Sequence, residues 1–484
     1  MAHDPVMRRV GILMGGSHAS RGGHSRGAEG QAASRQFVMA AWRDFLPVAL
    51  VVGAAILFGF LSGGATSRPT QIAVLGALLI TAYGRPISVF YATHLCQAAV
   101  ILFPGIVPGW HIMGPGMFVA ALLGSRKTTV IGPRRSPFFI VSFITVGYLV
   151  INALYFGSSL EGYSWWPQVF VLGSGLMLQI LVSGKAGYLS AWLGVVVGSV
   201  FLAGVTAVRI LLLALPSIHH EAGLELSADS NYLSMLIGLG VLPAIALAKH
   251  LAEGGRRLAL ILTMLCVPIC LLSVGLLASR GIMIALVVGF MPMILGVARN
   301  KRGWIIFVIA LIIVIAMLNW LGVYQGGEIE VFRRFSAEIR PGNPLGQRYT
   351  LAQIAWEAFA ERPALSKLFG GGPYSNFLAV GRKTPEGWMH THNAFLEYLL
   401  DYGLIGVGLF LALFWLAFRS AVSADADVRF LLLSQFAFLA VCCMSINPFV
   451  HLSAVISLGL IGASYRGLSM AGRRPALLHR RAKA

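Results

Sequence analysis

The sequence predicts an all-α polytopic membrane protein, and its composition and its apolar runs are the two observations that predict it. Of 484 residues, 57% are hydrophobic and 11% are charged, whereas soluble domains carry about 25% charged residues. Mean hydropathy is +0.78, and apolar runs of roughly 18 or more residues, long enough to cross a bilayer as helices, recur along the chain. We therefore expect about 12–14 transmembrane helices.

The apolar runs give the candidate helices in chain order. The fourth run, 113–124, is short for a bilayer core of roughly 30 Å, so we expect it to be re-entrant or to pair with the third. The five cysteines all fall inside such runs and are interpreted as small apolar packing residues rather than disulfide or metal ligands. The runs cover residues 44–63, 70–84, 88–107, 113–124, 137–156, 166–183, 188–215, 232–248, 257–279, 281–298, 303–324, 392–418, 429–447 and 450–468.

These runs fall into two blocks of helices, residues 43–324 and residues 392–468. Residues 1–42 are rich in Gly, Ser, His and Arg, lack apolar periodicity and show no cleavable signal peptide, which predicts a disordered basic cytoplasmic tail. Residues 469–484 form a second basic cytoplasmic tail. The segment between the blocks, 325–391, is one long loop, and loops of this length are usually functional.

The long loop is predicted to contain a short amphipathic helix. Within residues 345–362, apolar side chains recur at helical spacing, which gives one apolar face that we expect to lie on the membrane surface. Pro363 ends this helix, and the glycines of 370–372 supply a flexible turn close to the next span. The apolar positions are Leu351, Ile354, Ala355, Ala358 and Phe359.

The net charge of +19 does not indicate nucleic-acid binding, because the basic residues are distributed between the spans rather than on one soluble domain. With the N-terminus inside, the basic connections face the cytoplasm and the acidic connections face outwards, as the positive-inside rule requires. This orientation predicts cytoplasmic termini and places His392 and the long loop on the outer face, which is the periplasmic face in a Gram-negative cell. The basic connections hold Arg126, Lys127, Arg134, Arg135, Lys249, Arg256, Arg257, Arg299, Lys301 and Arg302, and the acidic ones hold Glu161, Glu221, Glu225 and Asp229.

The junction between the long loop and the next apolar run holds the candidate catalytic base, His392. An imidazole at a membrane interface can accept a proton near neutral pH and so activate a sugar hydroxyl. His390 and Asn393 are supporting candidates, although an asparagine in this place is also a typical helix cap. Glu397 either orients the imidazole, binds sugar hydroxyls or is an interfacial carboxylate.

Three arginines are predicted on the same outer side. Arg209 lies near the outer end of its span, Arg280 marks the junction of two spans, and Arg348 opens the loop helix. Arginine suits bidentate phosphate binding, and an arginine within a span is a functional candidate because an unpaired charge there is costly. The alternatives are that Arg209 reaches lipid headgroups, that Arg280 is a helix-end charge and that Arg348 is solvated. Together with His392, the arginines predict a site for a polar lipid-linked substrate.

No motif indicates a cofactor or a metal ion. His219, His220 and Glu221 lie together on another outer loop, but adjacent histidines chelate poorly from a regular element. The chain has neither a phosphate-binding loop nor a dinucleotide fingerprint. We therefore expect chemistry that uses neither a metal nor a cofactor.

The candidate residues resemble the motif of the superfamily of O-antigen ligases and Wzy-type polymerases. The most specific part is His392-Asn393, followed after nine residues by Gly403-x-x-Gly406. The resemblance covers roughly residues 200–415. The other matching pieces are Ser279 with Arg280, Arg348 with Trp356, the glycines of 370–372, and the asparagine-containing stretch 229–233.

The resemblance implies a fold like that of membrane-embedded glycosyltransferases. It also implies transfer of a glycan from undecaprenyl diphosphate to an acceptor hydroxyl, with inversion at the anomeric carbon and without a metal. His392 would be the catalytic base, and Arg280 and Arg348 would bind the diphosphate. The acceptor is another lipid-linked repeat in a polymerase and the lipid A core in a ligase. The chain has no feature reserved for lipid A, which favours the polymerase, with other polysaccharide-assembly proteins as partners.

Two different classes of protein stay open. A transporter or flippase of lipid-linked glycan would carry charges deep inside several spans or broken helices in repeated positions. This chain carries mainly outer-side charge and no internal repeat. A scaffold subunit would make the cluster around His392 dispensable.

Overall fold

The computed structural model describes thirteen of the fourteen apolar runs in whole or in part, and the described part of each contains a helix. The run 303–324 lies outside the described residues. The structure describes residues 23–61, 68–102, 110–125, 136–158, 166–182, 184–212, 230–253, 257–277, 279–297, 347–383 and 391–467.

These residues contain sixteen α-helices, two short 3-10 helices and, within the described ranges, no strand. Helices before the long loop are α1 (Gly23–Leu61), α2 (Arg68–Gly84), α3 (Ser88–Leu102), α4 (Trp110–Ser125), α5 (Pro137–Phe156), α6 (Trp166–Met177), α7 (Gly184–Leu212), α8 (Ser230–Glu253), α9 (Arg257–Leu276) and α10 (Arg280–Val297). The loop contributes α11 (Gln347–Ala360), α12 (Ala364–Phe369) and α13 (Ser375–Gly381), and the second block contains α14 (Ala394–Val422), α15 (Ala426–Cys443) and α16 (Leu452–Gly467).

Five described helices are long and apolar enough to cross a membrane, namely parts of α1, α5, α7, α8 and α14, and six further stretches are shorter apolar helices. The predicted all-α polytopic membrane protein is therefore confirmed. The count of about 12–14 spans and the orientation of the termini stay predictions.

Helix α16 lies at the centre of the bundle. Its residues from Leu452 to Ala463 are all buried, and it contacts α6, α7 and α14. The Ser457 hydroxyl donates within this helix to the Ser453 carbonyl at 2.9 Å, whereas the Ser453 hydroxyl bonds His94 Nδ1 of α3 at 2.6 Å. Small residues let the neighbouring helices approach closely, as at Gly175, where an added methyl would overlap Val455.

Helix α14 is broken at Gly403, and the long loop fills the break. Gly403 has φ 66° and ψ −166°, a region open to glycine alone. Gly370 (φ 85°) lies against it, and the next two loop N–H groups donate to the carbonyls of Leu400 and Asp401 at 3.1 and 2.9 Å. The loop thus satisfies carbonyl groups that the break removes from the helix ladder.

The predicted loop helix forms as α11, but its apolar face packs on protein and not, as was predicted, on the membrane surface. Leu351, Ala355 and Phe359 are buried against Leu399 and Leu400 of α14 rather than lying on a membrane surface. The reason is that docking of the loop brings α11 against the first part of α14, and this protein surface covers the apolar face. The outward side of α11 carries Tyr349 and Trp356, which are 61% and 58% exposed.

Helices α1 and α4 each differ in part from what the sequence predicted. Helix α1 begins at Gly23, so the disorder predicted for 1–42 is wrong for residues 23–42, while residues 1–22 lie outside the described part. The apolar side chains Phe37 and Ala41 anchor this helix in the core. The short helix α4 contacts α3, as one alternative predicted, but packs more extensively on α2 and α6, because its glycines allow close approach there, as at Gly124 beside Tyr83. Whether α4 is re-entrant stays a prediction.

Candidate active site

Three helix N-termini meet at one end of the bundle. Asn231, the second residue of α8, accepts a hydrogen bond from the Ser279 hydroxyl at 2.7 Å, and Ser279 immediately precedes α10. Arg348, the second residue of α11, lies against Gly281, the second residue of α10. The free N–H groups and the dipole of a helix N-terminus favour negative charge. This end of the bundle is therefore suited to an anion.

The guanidinium of Arg348 is fixed by its neighbours rather than freely solvated. Its Nη1 donates to the Ser445 hydroxyl, and the side chain is half-buried. A methyl group at Gly281 would lie 3.1 Å from this nitrogen and would overlap Ser445. Glycine at this position thus leaves the space that the guanidinium occupies, and a fixed guanidinium has the geometry that suits an oxyanion.

His392 lies in a strained turn directly before α14. Its φ is 50°, which is uncommon for a residue with a side chain and costs about 1–2 kcal/mol. The turn is closed by Thr391, whose hydroxyl donates to the Asn393 carbonyl at 3.1 Å and accepts from the Asn393 N–H at 3.3 Å. The imidazole is half-buried near the N-terminus of α14. Strain of this kind is often found at functional residues.

Asn393 is the N-cap of α14. Its Oδ1 accepts from the N–H groups of Phe395 and Leu396 at 3.0 and 3.2 Å. The capping alternative considered for this residue is therefore the one observed, and it stabilises the helix by about 1 kcal/mol. The cap also fixes where the helix starts, and so where His392 stands.

Glu397 is buried in the first turn of α14, at 5% exposure. Its Oε2 accepts a hydrogen bond from Asn447 Nδ2 at 2.7 Å. Asn447 belongs to the connector between α15 and α16, which we define as residues 444–451 and which includes the 3-10 helix Pro448–Val450. Glu397 is therefore a packed residue with a specific amide partner, and the interfacial carboxylate considered from the sequence is excluded.

Asp401 fastens the long loop to α14 one turn further on. Its carboxylate accepts from the Asn376 N–H at 2.7 Å, from the Asn376 amide at 2.9 Å and from Ser375 at 3.2 Å. Arg362 donates to the Leu400 carbonyl and to Ser375. Burial lowers the pKa of Arg362 from its usual value, and the Asp401 charge opposes that shift. These bonds hold helices α11 to α13 as one wall beside the site.

A buried polar network lies behind the site. The ring of Tyr232, next to Asn231, packs at a tilt of 55° on His451 with centroids 4.8 Å apart, and His451 Nδ1 bonds Gln97 at 2.9 Å. Gln97 also accepts from the N–H of Ser453 at 3.2 Å. Sequence reasoning had included Tyr232 in the stretch 229–233 but missed Gln97, His451 and Ser453. The available signal was a cluster of polar residues around an Asn-Pro step between two apolar runs.

The structure describes the side chains of only some of the predicted site residues. The structure brings Arg348 beside the start of α10 and places His392, Asn393 and Glu397 at the start of α14. Arg209 falls in α7, and Arg280 is the first residue of α10, but both side chains lie outside the described part of the structure. His390 also lies outside it. In the portion of the chain that is described, no three His, Cys, Asp or Glu side chains come together as a metal site.

The class that this fold and site define is a polytopic membrane protein with an anion-suited site at the ends of its helices. Residues 264–411 match the family model described as O-antigen ligase, which confirms the resemblance drawn from the motif. The match includes Arg280, Arg348, His392 and the Gly403 kink. It indicates an O-antigen ligase or polymerase type of function, with lipid-linked glycan and acceptor as partners in general. No curated protein matches the chain.

Proposed function

We propose that this protein is a periplasmic-face glycosyltransferase of the bacterial inner membrane that polymerises a glycan carried on undecaprenyl diphosphate. The observation that carries the proposal is the contact of Arg348 with Gly281. It joins the outer loop to the start of α10, where Arg280 stands, within a region that matches the O-antigen ligase model.

The reaction is a displacement at the anomeric carbon. The acceptor hydroxyl oxygen attacks this carbon, its proton passes to the imidazole of His392, and the bond from the anomeric carbon to the diphosphate oxygen breaks. One displacement inverts the anomeric centre. A positioned general base contributes roughly 10²–10⁴-fold to the rate. A histidine held directly before the N-terminus of α14 is suited to this role.

The leaving diphosphate is stabilised by fixed positive charge. Arg348 and Arg280 bind it, with Arg209 as a third ligand, and the N-termini of α8, α10 and α11 add partial positive charge. Such preorganised groups are worth more in a poorly hydrated site than in water. In this proposal the arginines take the part that a divalent cation plays in other glycosyltransferases, and the docked loop excludes water.

The acceptor decides between polymerase and ligase. A polymerase adds the glycan to another lipid-linked repeat, and the alternative, a ligase, adds it to the lipid A core. The description of the matching family model favours the ligase, and the absence of a feature reserved for lipid A favours the polymerase. Both use the same donor chemistry, so the choice depends on product analysis.

The test is glycan transfer by purified protein with a lipid-diphosphate donor in the presence of a chelator. We expect the wild type to extend the glycan and the His392→Ala and Arg348→Ala variants to lose at least 10²-fold in kcat. Arg382→Ala is the matched control, because Arg382 is an exposed arginine of the same loop.

The products and the failures are both informative. A ladder of lengths supports the polymerase, and single transfer to a lipid A core supports the ligase. Wild-type activity in folded His392→Ala protein would overturn the proposal. Movement of the donor across liposomes without any chemistry would show a transporter instead.

A further inference from the structure

The connector at residues 444–451 touches two elements of the candidate site although it lies beyond the segment that matches the family model. Ser445 accepts from Arg348, and Asn447 donates to Glu397. Both connector residues are buried, at 6% and 7% exposure. The connector is therefore a wall of the site, and it joins the loop arginine to the helix that follows His392.

The orientation of the Asn447 amide is determined by its second partner. The N–H of Phe449 donates to Asn447 Oδ1 at 3.2 Å, so the amide oxygen is occupied within the connector. Consequently the NH₂ group points to the Glu397 carboxylate, at 2.7 Å. Pro448 fixes the backbone between these two contacts. An aspartate at 447 would keep the cap but would present an oxygen to the carboxylate.

A buried carboxylate needs such a partner, because an unpaired charge in this environment is costly. Glu397 lies in the first turn of the helix that His392 precedes, and its own N–H donates to the Asn393 carbonyl at 3.0 Å. A change in the direction of this side chain therefore acts on the turn that carries the imidazole. Asn447 is placed to control that direction.

We propose that Asn447 is a positioning residue for glycan transfer that acts through Glu397, an inference that rests on the proposed function. It holds the carboxylate in one orientation in the first turn of the helix that the candidate base precedes. Misplacement of a reacting group by about 1 Å can cost roughly 10²-fold in rate. The effect is expected in kcat, because the donor diphosphate is bound by arginines that these substitutions leave in place.

The experiment is a double-mutant cycle of Asn447→Ala and Glu397→Gln, with kcat and KM measured for glycan transfer. We expect each single variant to lower kcat about 10–100-fold with little change in KM, and the double variant to be no worse than the poorer single variant. Such non-additivity shows that the two residues act as one unit. Asn447→Asp should be at least as impaired as Asn447→Ala.

Ser420→Ala is the control, because the Ser420 hydroxyl makes a buried hydrogen bond between α14 and α16, to Gly462 at 3.3 Å, away from the site. All variants are compared at equal folded fraction, measured by thermal unfolding. Asn447→Ala kinetics equal to those of Ser420→Ala, or multiplicative effects in the cycle, would overturn the inference. Its failure differs from failure of the proposed function, in which folded His392→Ala protein also stays active.

Discussion

Gly370 and Gly403 meet backbone to backbone, one in the long loop and the other inside helix α14. Both have positive φ, 85° and 66°, and a methyl group on Gly403 would overlap the Gly370 nitrogen and the Leu368 carbonyl. A methyl on Gly370 would likewise overlap the Asp401 carbonyl. The two glycines therefore form a single joint, in which the break in one segment accommodates the other.

This joint predicts a position-specific effect of alanine. Gly403→Ala should lower the free energy of unfolding by about 1–3 kcal/mol for backbone strain alone, with an added steric cost from the loop. Thermal unfolding in detergent measures the effect. Gly408→Ala, in the same helix with open space around it and no positive φ, should be neutral. Equal melting temperatures for the two variants would contradict the conclusion that Gly403 is required where the loop meets α14.

Loss of the Asp401 carboxylate should release the loop. Asp401→Ala leaves the buried N–H and amide groups of Asn376 without their acceptor, at about 1–3 kcal/mol. Hydrogen exchange should then increase in peptides covering residues 364–376. Asp425→Ala is the control, because Asp425 is exposed and makes no side-chain cap bond. Unchanged exchange in Asp401→Ala would show that the glycines alone hold the loop.

The space at Gly281 should be required for activity. Gly281→Ala places a methyl where Ser445 and the Arg348 guanidinium now lie, so we expect kcat/KM for glycan transfer to fall about 10²-fold. Gly147→Ala in α5 is the matched control, since nothing lies within 4 Å of an added methyl there. Wild-type kinetics in Gly281→Ala would show that the close packing of Arg348 against the start of α10 is not needed for activity.

The geometry of the Arg348 side chain should matter as well as its charge. Arg348→Lys keeps a positive charge but loses the planar fork, so it should retain part of the donor binding that Arg348→Ala loses. Donor affinity, measured for both variants by ligand-dependent thermal stabilisation, should fall in the order wild type, lysine, alanine. Equal affinities for lysine and alanine variants would show that charge at this position contributes nothing.

Hydropathy and local spacing predicted much of the fold. The run 137–156 coincides with α5, because Ser136 caps that helix, and the loop helix formed within the predicted residues. What covers the apolar face of that helix was not predictable, since periodicity shows which residues share a face and not which element packs on it. Leu399 and Leu400 are far away in sequence and become its partners only through the kink.

In the candidate site, too, the sequence pointed to residues in local motifs and missed residues whose partners are distant in sequence. His392 and Arg348 are proposed from a spaced motif, and the capping role of Asn393, which the structure shows, was among the local alternatives. Asn447 and His451 were missed because their partners, Glu397 and Gln97, lie 50 and 354 residues away. Contacts across such separations follow from helix packing, which one sequence read alone does not specify.

The kink at Gly403 has a consequence for engineering of this protein. Side chains on both sides of the joint are constrained by backbone contact, so libraries that vary them will mostly yield unfolded chains. The outward surface of α11, with Tyr349 and Trp356 exposed, is free of that constraint. Diversity introduced there would alter what approaches this end of the protein while the packed residues beneath stay unchanged.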